Sequence, residues 1–258
     1  MKTINFPYIN GTTIPVADTA VHVNSGWTHP RNDVRFREPF VYELNVIQFF
    51  YSQIKDNDVI LDIGAHSGLF SMLAKYNKTT TWHLFEPDPF NVSNLKDNIE
   101  VNEIKNATVY EEALSDYVGE CILNICTNHR GLNTIGKNPV RLESPDGKYD
   151  HIPSEIKIEK NLIETLLVKV NTIDNLFSNT KIDLIKIDTE GSEYDIINGG
   201  IETIKKYKPK ILLEYNGGNI GQCGHDLQKL NILIEQIGYV PFWSDNGENL
   251  FIQFNYDA

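Results

Sequence analysis

The chain has 258 residues, a formal net charge of −12, and 41% hydrophobic and 10% aromatic residues. That length suits one sizeable α/β domain with a small appendage rather than two full domains, and no segment reaches the continuous apolar length of a membrane span. The acid excess opposes DNA or RNA as a partner, because affinity for a polyanion comes largely from Lys and Arg neutralising phosphates.

In chain order, residues 1 to 40 are rich in Asn, Thr, Pro and His without a sustained period and predict an N-terminal cap of short strands and loops. Arg31, Arg35 and Arg37 make this stretch locally basic, a pattern that more often marks a solvated face than a binding patch. The first residues carry no apolar run followed by small residues, so no secretory signal is expected. Cys121, Cys126 and Cys223 are too few and too irregularly spaced for a disulfide framework or a zinc knuckle. Reduced thiols in a cytoplasmic setting are the expectation.

A main domain over residues 41 to 258 begins within a helix, Pro39 to Ile54, whose apolar positions Phe40, Leu44, Ile47 and Tyr51 recur at helical spacing. The stretch from Val59 to Phe70 then organises the rest. Val59-Ile60-Leu61 reads as buried strand and runs into Asp62; Gly64 and Gly68 bracket a turn; a helix is predicted from about Ser67. Glycines let a backbone approach a ligand closely, and a helix start offers unpaired N–H groups. A dinucleotide fingerprint would need G-x-G-x-x-G around a pyrophosphate. Here the pattern is Gly64-x-His66-x-Gly68 with an acid two residues ahead, which favours a nucleoside without a phosphate. Two glycines in a turn also occur in α/β proteins that bind nothing there, so later residues must decide.

Thr80 to Phe85 predicts a second strand, ended by Glu86-Pro87-Asp88-Pro89, where the prolines forbid continuation of the ladder. Glu86 lies 18 residues after Gly68, near where an acid at a strand tip holds a ribose diol. A helix over Asn91 to Glu103 and a strand over Ala107 to Glu111 follow, then Ala113-Leu114-Ser115-Asp116, whose small and apolar residues could flank an adenine. After a strand from Val118 to Ile125, residues 127 to 164 lose any clear period. A connection of that length is usually a lid or an inserted substrate element, and this one carries His129, Arg130, Asn133, Arg141 and His151.

Strand character resumes at Leu166 to Val170, and Thr172 caps a short helix. Ile182 to Asp188 is a buried strand that ends in Thr189-Glu190-Gly191-Ser192-Glu193. Carboxylates crowded there fall where ligands bind in a doubly wound sheet, outside the carboxyl ends of the strands. Lys210 to Glu214 predicts a further strand with Glu214 at its tip; a last helix, Asp226 to Ile237, stops at Gly238, and a hairpin closes the chain over Tyr239 to Trp243 and Asn249 to Phe254.

Four motifs in order, Val59 to Gly68, Phe85 to Pro89, Glu112 to Asp116 and Ile182 to Glu193, resemble the FkbM family of S-adenosylmethionine-dependent methyltransferases. The resemblance implies a three-layer α/β/α, Rossmann-like class I methyltransferase fold with a mainly parallel seven-stranded sheet and an antiparallel last strand. It also implies that Asp62, Gly64, Ala65, His66 and Gly68 form the cofactor loop, that Glu86 and Pro87 lie at the ribose, that Ala113 and Leu114 lie near adenine, and that Asp188 lies beside the methyl group. Tyr42-Glu43 matches a pair that precedes the first motif, which puts Glu43 at the cofactor's amino acid end. His66 stands where the family usually has Asn.

The activity implied is methyl transfer from S-adenosylmethionine to a hydroxyl of a small molecule, with a sugar or glycan favoured as acceptor. N-methylation of an amine or peptide is the rival, and a non-catalytic binding module a third reading. An alcohol must lose a proton during attack. Asp188, Glu190, Glu193, Glu214 and His129 are the candidate bases, with Asp188 and Glu190 preferred. Glu193 is expected chiefly to favour the start of the next helix, and Lys186 to pair with one of the acids. The clustered carboxylates could also hold Mg²⁺, an oxygen-seeking ion.

Overall fold

The computed structural model describes residues 2–5, 13–16, 44–126, 130–136, 163–245 and 247–256. The expectations for Arg31, Arg35, Arg37, Tyr42, Glu43, His129, Arg141 and His151 lie outside these residues. Of the N-terminal cap, the described part is an antiparallel pair, β1 (Lys2–Asn5) with β2 (Thr13–Val16).

Helix α1 (Leu44–Gln53) leads into β3 (Val59–Ile63), whose last four residues are buried. A strand apolar on both faces belongs in the middle of a parallel sheet covered on both sides, and β3 pairs in parallel with β4 (Thr81–Phe85) on one side and β9 (Leu184–Ile187) on the other. Outward from β4 lies β5 (Ala107–Tyr110); outward from β9 lie β10 (Lys210–Glu214), β12 (Asn249–Phe254) and β11 (Tyr239–Asp245), giving the order β11-β12-β10-β9-β3-β4-β5. The last strand, β12, runs antiparallel to both neighbours. Strand order reverses between β3 and β9, and in open α/β sheets ligands bind in the crevice at that switch, outside the strands' carboxyl ends. Those ends present Asp62 to Gly64, Glu86, Asp188 and Glu214.

One face of the sheet packs Ile60, Leu184, Leu212 and Phe251 against Val46, Ile47 and Phe50 of α1 and against Leu95 of α2 (Pro89–Val101). The other packs Leu61, Ile63, Ile185, Ile187 and Leu213 against Ile173 and Phe177 of α3 (Ile173–Phe177), Ile196 and Ile197 of α4 (Glu193–Asn198), Ile204 of α5 (Ile201–Tyr207), Ile220 of α6 (Gly217–Gln222), and Leu230, Leu233 and Ile234 of α7 (Leu227–Gln236). The layers are helix, sheet and helix, the three-layer α/β/α arrangement expected from the alternating elements. Side-chain caps fix the helix starts: Thr172 accepts from the Asn175 amide, as the sequence predicts, Asp88 accepts from the Phe90 amide ahead of Pro89, and Asp226 accepts from the Lys229 amide. No helix among the described residues is long and apolar enough to cross a membrane.

One element departs from expectation. The helix predicted from Ser67 is only a 3-10 turn, Ser71–Lys75, preceded by turns. Its bonds run Leu73 N to Phe70 O and Tyr76 N to Leu73 O, and the next turn, at Asn77 to Thr80, already leads into β4. The loop therefore offers no long helix N-terminus. Strands β6 (Ala113–Leu114), β7 (Gly119–Cys126) and β8 (Ile163–Asn171) do not extend the main sheet but form a separate three-stranded one, order β6-β8-β7.

Candidate active site

The loop after β3 turns at Gly64, His66 and Gly68, with φ of +75°, +52° and +94°. Asn and His are among the few side chains enriched in this left-handed region, so His66 keeps the turn that an Asn would make; its Nδ1 lies 3.2 Å from Ser67 Oγ. The close approaches at the two glycines are to the protein itself. A Cβ on Gly64 would lie 1.9 Å from the Asp188 carbonyl oxygen, and one on Gly68 2.6 Å from Leu95 Cδ1. Three successive amides of the loop likewise donate to the protein. Gly64 N and Ala65 N donate to Phe85 O at 3.0 and 2.9 Å, and His66 N donates to Glu86 Oε2 at 2.9 Å. Ala65 is buried and Pro87 is half-buried.

Glu86 is 5% exposed. Besides His66 N, its carboxylate accepts from Asp88 N at 2.9 Å and more distantly from Asn91 Nδ2 at 3.4 Å. A carboxylate has about four acceptor positions, so one remains, and the long Asn91 contact is the one a hydroxyl could most readily replace. Burial pushes the Glu86 carboxyl up to about 7, against the lowering effect of the Asp88 amide.

Asp62 faces a cation and a hydroxyl of the protein itself. It is fully buried. Its register partner across β3 and β9 is Lys186, so the two polar residues meet on one apolar face: Lys186 Nζ lies 3.3 Å from Asp62 Oδ1, and Ser71 Oγ donates to Asp62 Oδ2 at 2.6 Å. Lys186 Nζ also donates to Gly64 O at 2.8 Å and lies 3.4 Å from Asp188 Oδ2. One buried ammonium thus ties together the first loop, Asp62 and Asp188, while the Asp188 side chain keeps 38% exposure towards the crevice.

Beyond Asp188, the chain turns through Glu190 and Gly191, at φ +57° and +119°. Glu193 does more than sit at the start of α4. Fully buried, it accepts from Thr189 N and Thr189 Oγ1 at 3.0 Å each and from Gly191 N at 3.4 Å, closing the loop. Burial pushes its carboxyl up to about 6. Asp188, Glu190 and Glu214 each place a carboxylate oxygen within 4.8 Å of the others. The Asn219 amide donates to Glu190 Oε2 at 2.6 Å and to Glu214 Oε1 at 3.0 Å. Burial, and then the charges of Glu190, Asp188 and Glu193, hold the Glu214 carboxyl well above the usual carboxylate range.

Ala113 and Leu114 are both buried: Ala113 packs with Leu123 and Val170 in the small sheet, Leu114 with Ile63 and Phe85 in the main core. The described part of the inserted segment, residues 130 to 136, spans the tips of β4 and β9: Arg130 and Asn133 bond Asp88, and Thr134 Oγ1 donates to Glu190 O at 3.0 Å. Sequence reasoning missed Asp88, Thr134 and Asn219 as site neighbours. A signal was present for Asp88, an N-cap residue ahead of a proline, and for Asn219 in Asn216-Gly217-Gly218-Asn219, a turn-forming run just past a strand tip.

A family model described as "Methyltransferase FkbM domain" matches residues 62–241. "Methyltransferase 1" of Beauveria bassiana is 22% identical over 147 residues, 56% of this chain and 59% of that protein, so the match spans less than two thirds of its relative. Among solved structures, methyltransferase FkbM from Methylobacillus flagellatus covers 96% of this chain and 58% of its own at 15% identity and a TM-score of 0.48. Precorrin-6y C5,15-methyltransferase from Geobacter metallireducens covers 84% and 92% at 13% identity and a TM-score of 0.43. With its matching family model spanning the loop after β3, the Glu86 tip, the Asp188 to Glu193 turn and Glu214, the chain belongs to the FkbM methyltransferase domain family.

Proposed function

We propose that the protein transfers a methyl group from S-adenosylmethionine to a hydroxyl of a small acceptor, a sugar or glycan. The cofactor's ribose would bind at Glu86, its methyl group beside Asp188, and Glu43, outside the described residues, is assigned to its amino acid end. The observation that carries this reading is the convergence of Asp188, Glu190 and Glu214 within 4.8 Å beside the Gly64 turn. A sulfonium methyl donor is already activated, so the protein's task is alignment plus removal of the acceptor proton. Asp188 and Glu190 are the proposed bases, His129 a further candidate from the inserted segment, and Glu214, with its raised proton affinity, a neighbour that can share the proton. The acidic surface implied by a net charge of −12 supports a neutral acceptor and a cytoplasmic, nucleic-acid-free role.

Transfer of labelled methyl from S-adenosylmethionine to a panel of sugars and oligosaccharides tests the reading. Label is expected on a hydroxyl oxygen, lost in Asp188→Asn and Glu190→Gln while the demethylated cofactor still binds. Label on nitrogen, or unchanged transfer by both variants, would contradict it.

A divalent cation is a second reading of the same cluster, supported by a donor set made only of oxygens and by Glu214 Oε2, which is buried without a hydrogen-bond partner. Asp188, Glu190 and Glu214 would hold the ion. Mg²⁺ should then raise the melting temperature of the wild type and not of Glu214→Gln; equal curves with Mg²⁺ and with EDTA would discard it.

A further inference from the structure

The Arg130 guanidinium belongs to the inserted segment, far in sequence from the motifs that define the fold, yet it is spent on the ribose tip. Its Nη1 donates to Asp88 Oδ2 at 2.7 Å and Oδ1 at 3.0 Å, and the guanidinium lies 4.5 Å from the centre of the Phe90 ring. Asp88 is 1% exposed. Its other partners are Phe90 N at 3.0 Å and Asn133 Nδ2 at 2.8 Å, and its own amide donates to Glu86 Oε1. The segment is held in place by Asn133 Oδ1, which accepts from Cys126 N, and by Thr134, which exchanges backbone hydrogen bonds with Asn124. Among the described residues, Arg130 is the cation in contact with the buried Asp88, and Asp88 is the acid beside Glu86.

We propose that Arg130 is a positioning residue of the cofactor site: by neutralising and fixing Asp88, it keeps Glu86 available as the hydrogen-bond acceptor for the ribose. This rests on the reading that Glu86 binds the ribose. The groups that face Glu86 are His66 through its amide, Asp88 and Asn91 from the start of α2, and Tyr110 of β5 through its carbonyl, with Arg130 behind Asp88. Without Arg130, a buried and uncompensated Asp88 charge would stand next to Glu86. Glu86 would then hold its proton to higher pH, and a protonated carboxyl accepts fewer hydrogen bonds.

The test is calorimetric titration of S-adenosylhomocysteine into wild type, Arg130→Met, Asp88→Asn, the double variant and Glu86→Gln between pH 5.5 and 8.5. The wild-type affinity should rise through a midpoint near the Glu86 value of about 7. Arg130→Met should move that midpoint upward and weaken binding at neutral pH by about fivefold, because a one-unit displacement from about 7 leaves roughly a tenth rather than half of Glu86 ionised there. Asp88→Asn, which keeps an N-cap, should move it downward, and the double variant should recover most of the affinity lost in Arg130→Met. An unmoved midpoint in Arg130→Met and Asp88→Asn, or a double variant as weak as the single, would overturn the role of Arg130. If Arg130→Met does not fold, the midpoint of Asp88→Asn decides. A Glu86→Gln variant with wild-type affinity and midpoint would instead overturn the ribose assignment beneath it.

Discussion

Lys186 offers the sharpest energetic test of how the site is built. Replacing it by Met keeps the stem's apolar contacts and removes the ammonium that lies 3.3 Å from Asp62 and 3.4 Å from Asp188. At an effective dielectric constant of about 20, each contact corresponds to a Coulomb energy of about 5 kcal/mol before desolvation is counted. The Asp188 arm is discounted because that side chain is 38% exposed and can be hydrated. The Asp62 arm is not, because Asp62 has 1% side-chain exposure and no water to turn to. Removing one member of such a buried pair costs about 3–5 kcal/mol, mostly the penalty of the stranded charge. For a chain of this size that is roughly 10 °C in melting temperature. Urea unfolding of Lys186→Met should show that loss, and the double variant Asp62→Asn with Lys186→Met should be more stable than the single, because no charge is stranded. A single variant within about 1 kcal/mol of wild type, or a double variant no better than the single, would refute the assignment of Lys186 as the tie between the first loop and Asp188.

The two loop glycines should respond differently to Ala. Gly64→Ala drives a Cβ to 1.9 Å from a backbone carbonyl and should cost about 3 kcal/mol or more in urea unfolding, whereas Gly68→Ala meets the flexible end of Leu95 and should cost about 1–2 kcal/mol, chiefly from its positive φ. Equal losses would be inconsistent with the packing described. For pH dependence, the folded Glu86 keeps its proton to about 7 while the unfolded chain releases it near 4.5. Its contribution to stability is full below 4.5 and is lost as pH rises to 7, up to about 3 kcal/mol. Because Glu193 acts in the same direction, the measurement is the difference between wild type and Glu86→Gln, which should lose less stability between pH 4.5 and 8; parallel pH curves would contradict the burial of Glu86. Asn219→Leu removes the amide shared by Glu190 and Glu214. It should cost about 1–3 kcal/mol and reduce methyl transfer while leaving the affinity for S-adenosylhomocysteine within about twofold, a change under about 0.5 kcal/mol; unchanged transfer would show that Asn219 does not set the cluster.

What could be read from the sequence was local or periodic. The buried run Val59 to Ile63 announces a central strand, Thr172 starts a short helix, and Asp226 with Gly238 brackets the last one, because each rests on chemistry within a few residues. The carboxylates at the strand tips were visible for the same reason. The inward turn of Asp62 was not, because it depends on the parallel register that puts Lys186 opposite it. Nor was the reason for Gly64, whose missing Cβ makes room for the carbonyl of Asp188, just past the end of β9. The helix predicted after Gly68 gave way to a 3-10 turn because the chain must reach the turn at Asn77 and enter β4 within a few residues. Arg130 and Asn133 looked like groups for a substrate; their service to Asp88 is a tertiary contact that spacing does not encode.

The central assignment, a nucleoside site walled by the loop after β3 and the Glu86 tip, is tested most directly by a crystal structure of the protein with S-adenosylhomocysteine. The account predicts density at the β3–β9 switch, a ribose hydroxyl within hydrogen-bond distance of Glu86, and the cofactor sulfur on the side of Asp188. A nucleoside bound with its ribose away from Glu86, or its sulfur remote from the Asp188, Glu190 and Glu214 cluster, would contradict it.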